Sequence, residues 1–414
     1  MVFEVPKSAG GRPWFLGSLV AVALVCAGAG AWIVHAVAPE TQAATATKAP
    51  LPERPPVEVV EALPQLKARL DYMAERKQFM GAVLVAKGDQ VLFRQVYGKA
   101  NYENDQPLKL DTRFRLASVS KQFTAAAILK LQDEGKLSVD DPLCKWIDPC
   151  PDAWKPIKLR HLLTHTSGIP DLMAQAEWGR IRVTPRTPDE LTQASARYGL
   201  QFQPGTKIRY DNAAFNLLAV VVSKASGKPF ETYLNDAILK PLGMKDTGSD
   251  AHADAQGLAM GYANFPGGLA AQPIANVSVV FGAGALYSTL DDMLVWNRAL
   301  HNGHVLSQQS YAEMVADHAP ADTPKERGRA HRAYGYGIYV NSLGRQVSPS
   351  FDDRQIYHTG SWAGFRNLVV YQPEADVTVV VLSNNYHQRD QVFMLSQQAM
   401  AEALGRPFPT GLNR

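Results

Sequence analysis

Strand-like sequence at both ends of the folded region, with helix-like sequence between, restricts this chain more than any other feature. Residues 79–97 (FMGAVLVAKGDQVLFRQVY) are two β-rich runs around Lys87-Gly88-Asp89, a hairpin signal. Toward the other end, 335–340, 368–371 and 377–382 are strand-like, and 388–404 reads as a helix. Between them, Thr124, Ala127, Ile128 and Leu131 form an apolar stripe stopped by Gly135. Asn216, Leu217, Val220 and Val221 form another, stopped by Gly227, and 291–300 a third. One sheet assembled from both ends, with a mainly helical lobe inserted between, satisfies this pattern. The class is α+β rather than a βαβ repeat. A cleft between sheet and lobe is where a site is expected.

The first 64 residues belong to something else. Residues 14–34 (WFLGSLVAVALVCAGAGAWIV) run for 21 residues without a charge, enough to cross a bilayer, which takes about 20 apolar residues. Lys7 and Arg12 precede this run, so the positive-inside rule keeps the first residues in the cytoplasm and exports the rest. The predicted organisation is a cytoplasmic tail at 1–13, a transmembrane anchor at 14–37, a Pro/Ala-rich linker at 38–64 and a folded domain at 65–410. A cleaved signal peptide is the alternative, and the domain is then periplasmic or secreted. In either case it is exported from the cytoplasm, and with an anchor it is held at the inner membrane. Cys144 and Cys150, six residues apart in such a domain, are expected to form a disulfide.

Charge excludes one class of partner. Lys and Arg number 42 against 39 Asp and Glu, a formal balance of +3, with no basic run that would mark nucleic-acid binding. His161 and His165 stand four apart, as zinc ligands on a helix do, but Leu162 occupies the place where a metalloprotease needs Glu. No metal is expected. Neither a nucleophile elbow, a P-loop nor a dinucleotide fingerprint occurs.

Three short motifs carry the chemistry. Ser118-Val119-Ser120-Lys121 follows a strand-like Phe114-Arg115-Leu116 and opens a strong helix. Ser118 is therefore placed at a helix N-terminus, with Lys121 one turn on and facing the same way. The helix dipole favours an alkoxide on Ser118 and, together with burial, disfavours the Lys121 cation. A neutral Lys is what a general base for serine has to be. Tyr210-Asp211-Asn212 lies on a loop that begins another helix, with Tyr262-Ala263-Asn264 as a second candidate of the same spacing. His358-Thr359-Gly360-Ser361 closes a short strand, where Gly360 lets backbone approach a ligand and a peptide-like substrate could pair along the edge.

In this order, each in its setting, the three motifs make the chain resemble the serine β-lactamase and penicillin-binding superfamily. The nearest branch holds class C β-lactamases, D-alanyl-D-alanine carboxypeptidases, D-aminopeptidases and related esterases. Segments 160–168 (RHLLTHTSG), 241–244 (PLGM), 282–289 (GAGALYST) and 334–337 (YGYG) extend the likeness over about residues 66–405. The resemblance implies a β-lactamase/transpeptidase-like fold, with an antiparallel sheet flanked by helices. It implies Ser118 as the acylated nucleophile, with Lys121 and Tyr210 sharing proton transfer. Asn212 would hold the substrate amide and orient Lys121. His358 and Thr359, with Gly360 beside them, would line a pocket for a substrate carboxylate. The backbone N–H groups of Ser118 and Ser361 would form the oxyanion hole. No cofactor is implied. His358 stands where class C β-lactamases carry Lys, so recognition of anionic substrates should weaken or depend on pH. The expected function is a periplasmic serine hydrolase acting through an acyl-enzyme on D-amino-acid peptides, peptidoglycan-derived peptides among them, or on small esters and amides. The alternatives are a class C β-lactamase and a catalytically idle ligand-sensing or scaffold protein on the same fold.

Overall fold

A computed structural model describes residues 59–60, 62–250, 257–273, 275–320 and 333–413. The tail and anchor predicted at 1–37, and the linker up to residue 58, lie outside the described residues. The last linker residues already belong to the domain. Val60 and Ala62 donate backbone hydrogen bonds to Val91 O and Leu92 O, and a helix α1 spans Pro64–Glu75.

Six antiparallel strands form the main sheet: β1 (Gly81–Lys87), β2 (Gln90–Tyr97), β3 (Tyr339–Asn341), β4 (Gln355–Trp362), β5 (Phe365–Gln372) and β6 (Val377–Ser383), in the order β3-β4-β5-β6-β1-β2. The N-terminal hairpin thus adds to the C-terminal strands through the β1–β6 pair, where Val83 faces Val381 and Val85 faces Val379. Both faces of the sheet are covered, so its strands read as continuous apolar runs rather than as an apolar–polar alternation. Val83, Val85, Leu368, Val370, Val379 and Val381 pack on one face with Leu66, Leu70 and Met73 of α1 and with Leu395 and Met400 of a C-terminal helix. Their neighbours in sequence, Leu84, Val369, Val380 and Leu382, belong to the larger core shared with the helical lobe.

Four further helices matter to the site: α2 (Ser120–Asp133), α3 (Ala213–Ser226), α4 (Leu290–His301) and α5 (Arg389–Ala403), the C-terminal helix. α2 is the central one. Nearly every side chain from Ser120 to Leu131 is buried, as in a helix enclosed on all sides. Its buried polar groups are therefore paired: Gln122 accepts from Trp296 Nε1 of α4 at 3.0 Å, and Thr124 donates to Gly282 O at 2.7 Å. α3 ends at Gly227, whose φ of 72° is the left-handed C-cap that the sequence suggests.

Two expectations change. Residues 335–340 are strand-like in sequence, but the strand covers Tyr339–Asn341. Ahead of it the chain presses on other backbone: a Cβ at Gly335 would lie 2.0 Å from Met314 O, and one at Gly337 2.8 Å from Lys121 O. The His358-Thr359-Gly360-Ser361 motif does not end its strand, because β4 continues to Trp362 before turning through Ala363 and Gly364.

Candidate active site

Ser118 sits in a 3-10 turn, Ala117–Val119, that runs directly into α2. The backbone ahead of it is fixed from several sides. Phe114 and Arg115 pair with Ser288 and Tyr287, Leu116 N donates to Leu286 O at 2.8 Å, and Arg115 forms an ion pair with Asp250 at 2.7 Å. Asn367 of β5 donates to Arg115 O at 2.8 Å. Ala117 adopts φ 51°, a left-handed conformation costing on the order of 1–3 kcal/mol in a residue with a Cβ. Strain of this kind persists where the surroundings over-determine the backbone, and here they do so beside Ser118.

Lys121 is wholly buried beneath Ser118. Its Nζ lies 3.2 Å from Ser118 Oγ, 2.8 Å from Asn212 Oδ1 and 2.9 Å from Ala283 O. Burial lowers its pKa to about 7, opposed by the negative charges of Asp171 and Asp211. Two of the three partners, a carboxamide oxygen and a peptide carbonyl, can only accept. A neutral amine gives them its two hydrogens and is left with a lone pair directed at the Ser118 hydroxyl.

Tyr210 and Asn212 arrive on the turn before α3. The Tyr210 hydroxyl is hydrogen-bonded to Ser118, and burial, then Tyr339, pushes its pKa well above the ordinary phenol value. The residue as a whole is 37% exposed and lines the cleft. Asn212 gives Nδ2 to Asp171 Oδ2 at 3.1 Å and to Met173 Sδ at 3.3 Å, so its donors are already engaged. Tyr262, of the other Tyr-x-Asn candidate, lies in a hairpin strand and bonds Tyr102 N and Glu103.

Behind these side chains stand groups to which the sequence reading assigned no role at the site. Asp211 caps α3 by accepting from Ala214 N at 2.5 Å, and its second oxygen has no hydrogen-bond partner among the described residues. Burial raises its pKa to about 7. His165 accepts from Asp211 N at 3.3 Å through Nδ1, which leaves its Nε2 hydrogen for the Tyr334 hydroxyl at 3.0 Å. Burial and then the Lys121 charge hold that imidazole well below its usual range. Asp211 was legible as an acid inside the Tyr210–Asn212 motif. Asp171 had no such signal, since nothing in its spacing ties it to Asn212.

Ser118, Tyr210, Asn212, Tyr339, Thr359 and Trp362 line a cleft of about 330 Å³, together with Ser361, Met173 and small apolar residues. No charged side chain lines it among the described residues. β3 covers β4 only at Gln355–Tyr357, so among the described residues the outer edge of β4 pairs with no strand from His358 to Trp362. Thr359 and Ser361 sit on that edge, in the cleft wall.

The expected carboxylate pocket is corrected at two positions. His358 is buried and does not line the cleft; its Nδ1 bonds Thr359 O at 2.7 Å. Burial and the Lys121 charge lower its pKa to about 3, so it is neutral throughout the physiological range and cannot serve as a titrating cation. Gly360 meets the chain's own backbone rather than a ligand: a Cβ there would lie 2.2 Å from Leu116 O. It lets β4 lie against the segment that carries Ser118. Cys144 and Cys150 form the disulfide.

The family described as Beta-lactamase matches residues 66–400. Penicillin-binding protein 4* of Bacillus subtilis is 27% identical over 83% of this chain and 76% of its own length. The D-alanyl-D-alanine-carboxypeptidase/endopeptidase AmpH of Escherichia coli is 34% identical over 52% of this chain and 55% of its own. Among solved structures, the octameric penicillin-binding protein homologue from Pyrococcus abyssi superposes with a TM-score of 0.68 at 26% identity, covering 83% of this chain and 77% of that one. The chain belongs to the β-lactamase family and is a serine hydrolase.

Proposed function

We propose that this hydrolase works through an acyl-enzyme on Ser118, with the Lys121 amine as base, and that its substrates are small esters, amides or D-amino-acid peptides uncharged next to the scissile bond. The observation that carries the reading is the set of three contacts at Lys121 Nζ, which aims a lone pair at the Ser118 hydroxyl. In the first step Ser118 Oγ bonds to the substrate carbonyl carbon as its proton passes to Lys121. The carbonyl oxygen becomes an oxyanion held by the N–H groups of Ser118 and Ser361, a contact worth about 3–4 kcal/mol in such sites. Lys121 returns the proton through the Tyr210 hydroxyl to the leaving oxygen or nitrogen, and the bond to the leaving group breaks. Tyr210 acts as a phenol here, since its raised pKa disfavours the phenolate. Water then takes the place of the leaving group and releases the acid.

An uncharged cleft wall and a neutral His358 support the substrate class. The 21 uncharged residues at 14–34 and the Cys144–Cys150 disulfide support a membrane-anchored, exported enzyme. The test compares kcat/KM for N-acetyl-D-alanine amide and for N-acetyl-D-alanyl-D-alanine with its free carboxylate, between pH 6 and pH 8. The amide is expected to lead by tenfold or more, with no pH-dependent KM assignable to His358. Preference for the free carboxylate would overturn the substrate class.

A further inference from the structure

Asp171 stands just behind the reacting groups and touches none of them. Its two carboxylate oxygens do different work. Oδ1 accepts from Met173 N at 3.2 Å and caps the turn Leu172–Ala174; Oδ2 accepts from Asn212 Nδ2 at 3.1 Å. Asn212 in turn presents Oδ1 to Lys121 at 2.8 Å, and Lys121 reaches Ser118. The four residues form one hydrogen-bonded line: carboxylate, carboxamide, amine, hydroxyl.

We propose that Asp171 is a positioning residue, whose carboxylate locks the Asn212 carboxamide with its oxygen toward Lys121 and sets a negative charge one residue away from that amine. The proposal rests on the acyl-enzyme reading above. A carboxamide has a donor end and an acceptor end, and Lys121 needs the acceptor. An obligate acceptor on the far side of Asn212 selects that orientation, whereas a water or hydroxyl would tolerate either. Asp is suited to the position because both of its oxygens accept. Asn in its place can satisfy Met173 N or Asn212 Nδ2, but not both.

The charge matters because little else nearby carries one. Facing Lys121 and Asp171 are Asp211 before α3, His165 after the Leu159–Leu163 helix, His358 of β4, and Tyr210, Tyr334 and Tyr339. Both imidazoles are held neutral, and Tyr210 and Tyr334 are held protonated. Asp171 and Asp211 are the acids that oppose the desolvation of Lys121.

The test follows the Lys121 amine directly in the full chain labelled with [6-13C]lysine, the signal assigned by its loss in Lys121→Arg, and follows kcat/KM for p-nitrophenyl acetate against pH. Asp171→Asn is expected to lower the Lys121 titration midpoint, and the acid limb of the rate profile with it, by roughly one pH unit. It should also lower kcat about tenfold. The exchange Asp171→Asn with Asn212→Asp restores the line of hydrogen bonds and brings the charge next to Lys121, so both midpoints should then rise above wild type. A merely structural role would move neither midpoint. An unchanged Lys121 titration in Asp171→Asn, in a protein that melts as wild type does, overturns the proposal even if the ester is not a substrate. Hydrolysis that persists in Ser118→Ala would instead overturn the acyl-enzyme reading and leave the titration result to stand on its own.

Discussion

At Lys121, Ser118 Oγ, Asn212 Oδ1 and Ala283 O are arranged so that the amine can gain and lose its proton without moving. A catalytic lysine must be deprotonated part of the time, and a pKa near 7 gives about half at neutral pH. Replacing it with Met keeps the bulk and removes the base. Acylation of Lys121→Met is expected to fall by about 10²–10⁴-fold, while thermal stability at pH 6 stays level or rises, because a buried charge is gone. Rapid-quench measurement of acylation beside a melting curve checks both. The residue scale is also where the sequence was most and least informative. Ser118 and Lys121 were legible because helical spacing puts residues three apart on one face. Asp171 was not, because its partner Asn212 is 41 residues away and the fold alone brings them together. His358 misled for a related reason: its type was visible, but not the burial that neutralises it.

Among the elements, β4 has the most demanding position. Among the described residues its outer edge pairs with no strand from His358 onward, its inner edge pairs with β5, and its Gly360 lies against Leu116 O. A methyl group at residue 360 would drive β4 away from the strand and turn that carry Ser118, since the nearest atom, Leu116 O at 2.2 Å, is backbone and cannot swing aside, and the Asn367 side chain closes the other side at 3.0 Å. Gly360→Ala is therefore expected to cost at least tenfold in kcat/KM for p-nitrophenyl acetate and several degrees in melting temperature. An equivalent change at Gly135, where a Cβ meets nothing within 4 Å, should leave kcat/KM within about twofold. Element boundaries were readable where period and stop signals coincided, as at Gly227. They failed at 335–338, where backbone-to-backbone packing on Met314 and Lys121 replaces strand pairing, a contact that no local pattern announces.

For the whole molecule, the buried site couples chemistry to stability through pH. Asp211 has its folded pKa raised, so its contribution is fully present below the unfolded value of 3.8 and is lost as pH rises through about 7. Lys121 has its folded pKa lowered, so its contribution is present above 10.5 and is lost as pH falls through about 7. The two together predict a minimum in the site's contribution near pH 7, with slopes of at most about 1.4 kcal/mol per pH unit on either side. Urea unfolding of the wild type and of the Lys121→Met, Asp211→Asn double variant from pH 5 to pH 9 reads this as a difference curve with a trough. A flat difference would show that neither group is desolvated as described. The large-scale fold was legible because both chain ends are apolar in strand-length runs and the middle is apolar at helical period. The antiparallel order and the burial of both sheet faces came through family resemblance and structure.

The most direct measurement is the intact mass of the full chain, quenched in acid seconds after mixing with p-nitrophenyl acetate, with the modified peptide then sequenced. One acetyl group on Ser118, absent in Ser118→Ala and delayed in Lys121→Met, is the predicted result. Acetyl on another residue, or ester hydrolysis at an undiminished rate in Ser118→Ala, would contradict the assignment of Ser118 as nucleophile.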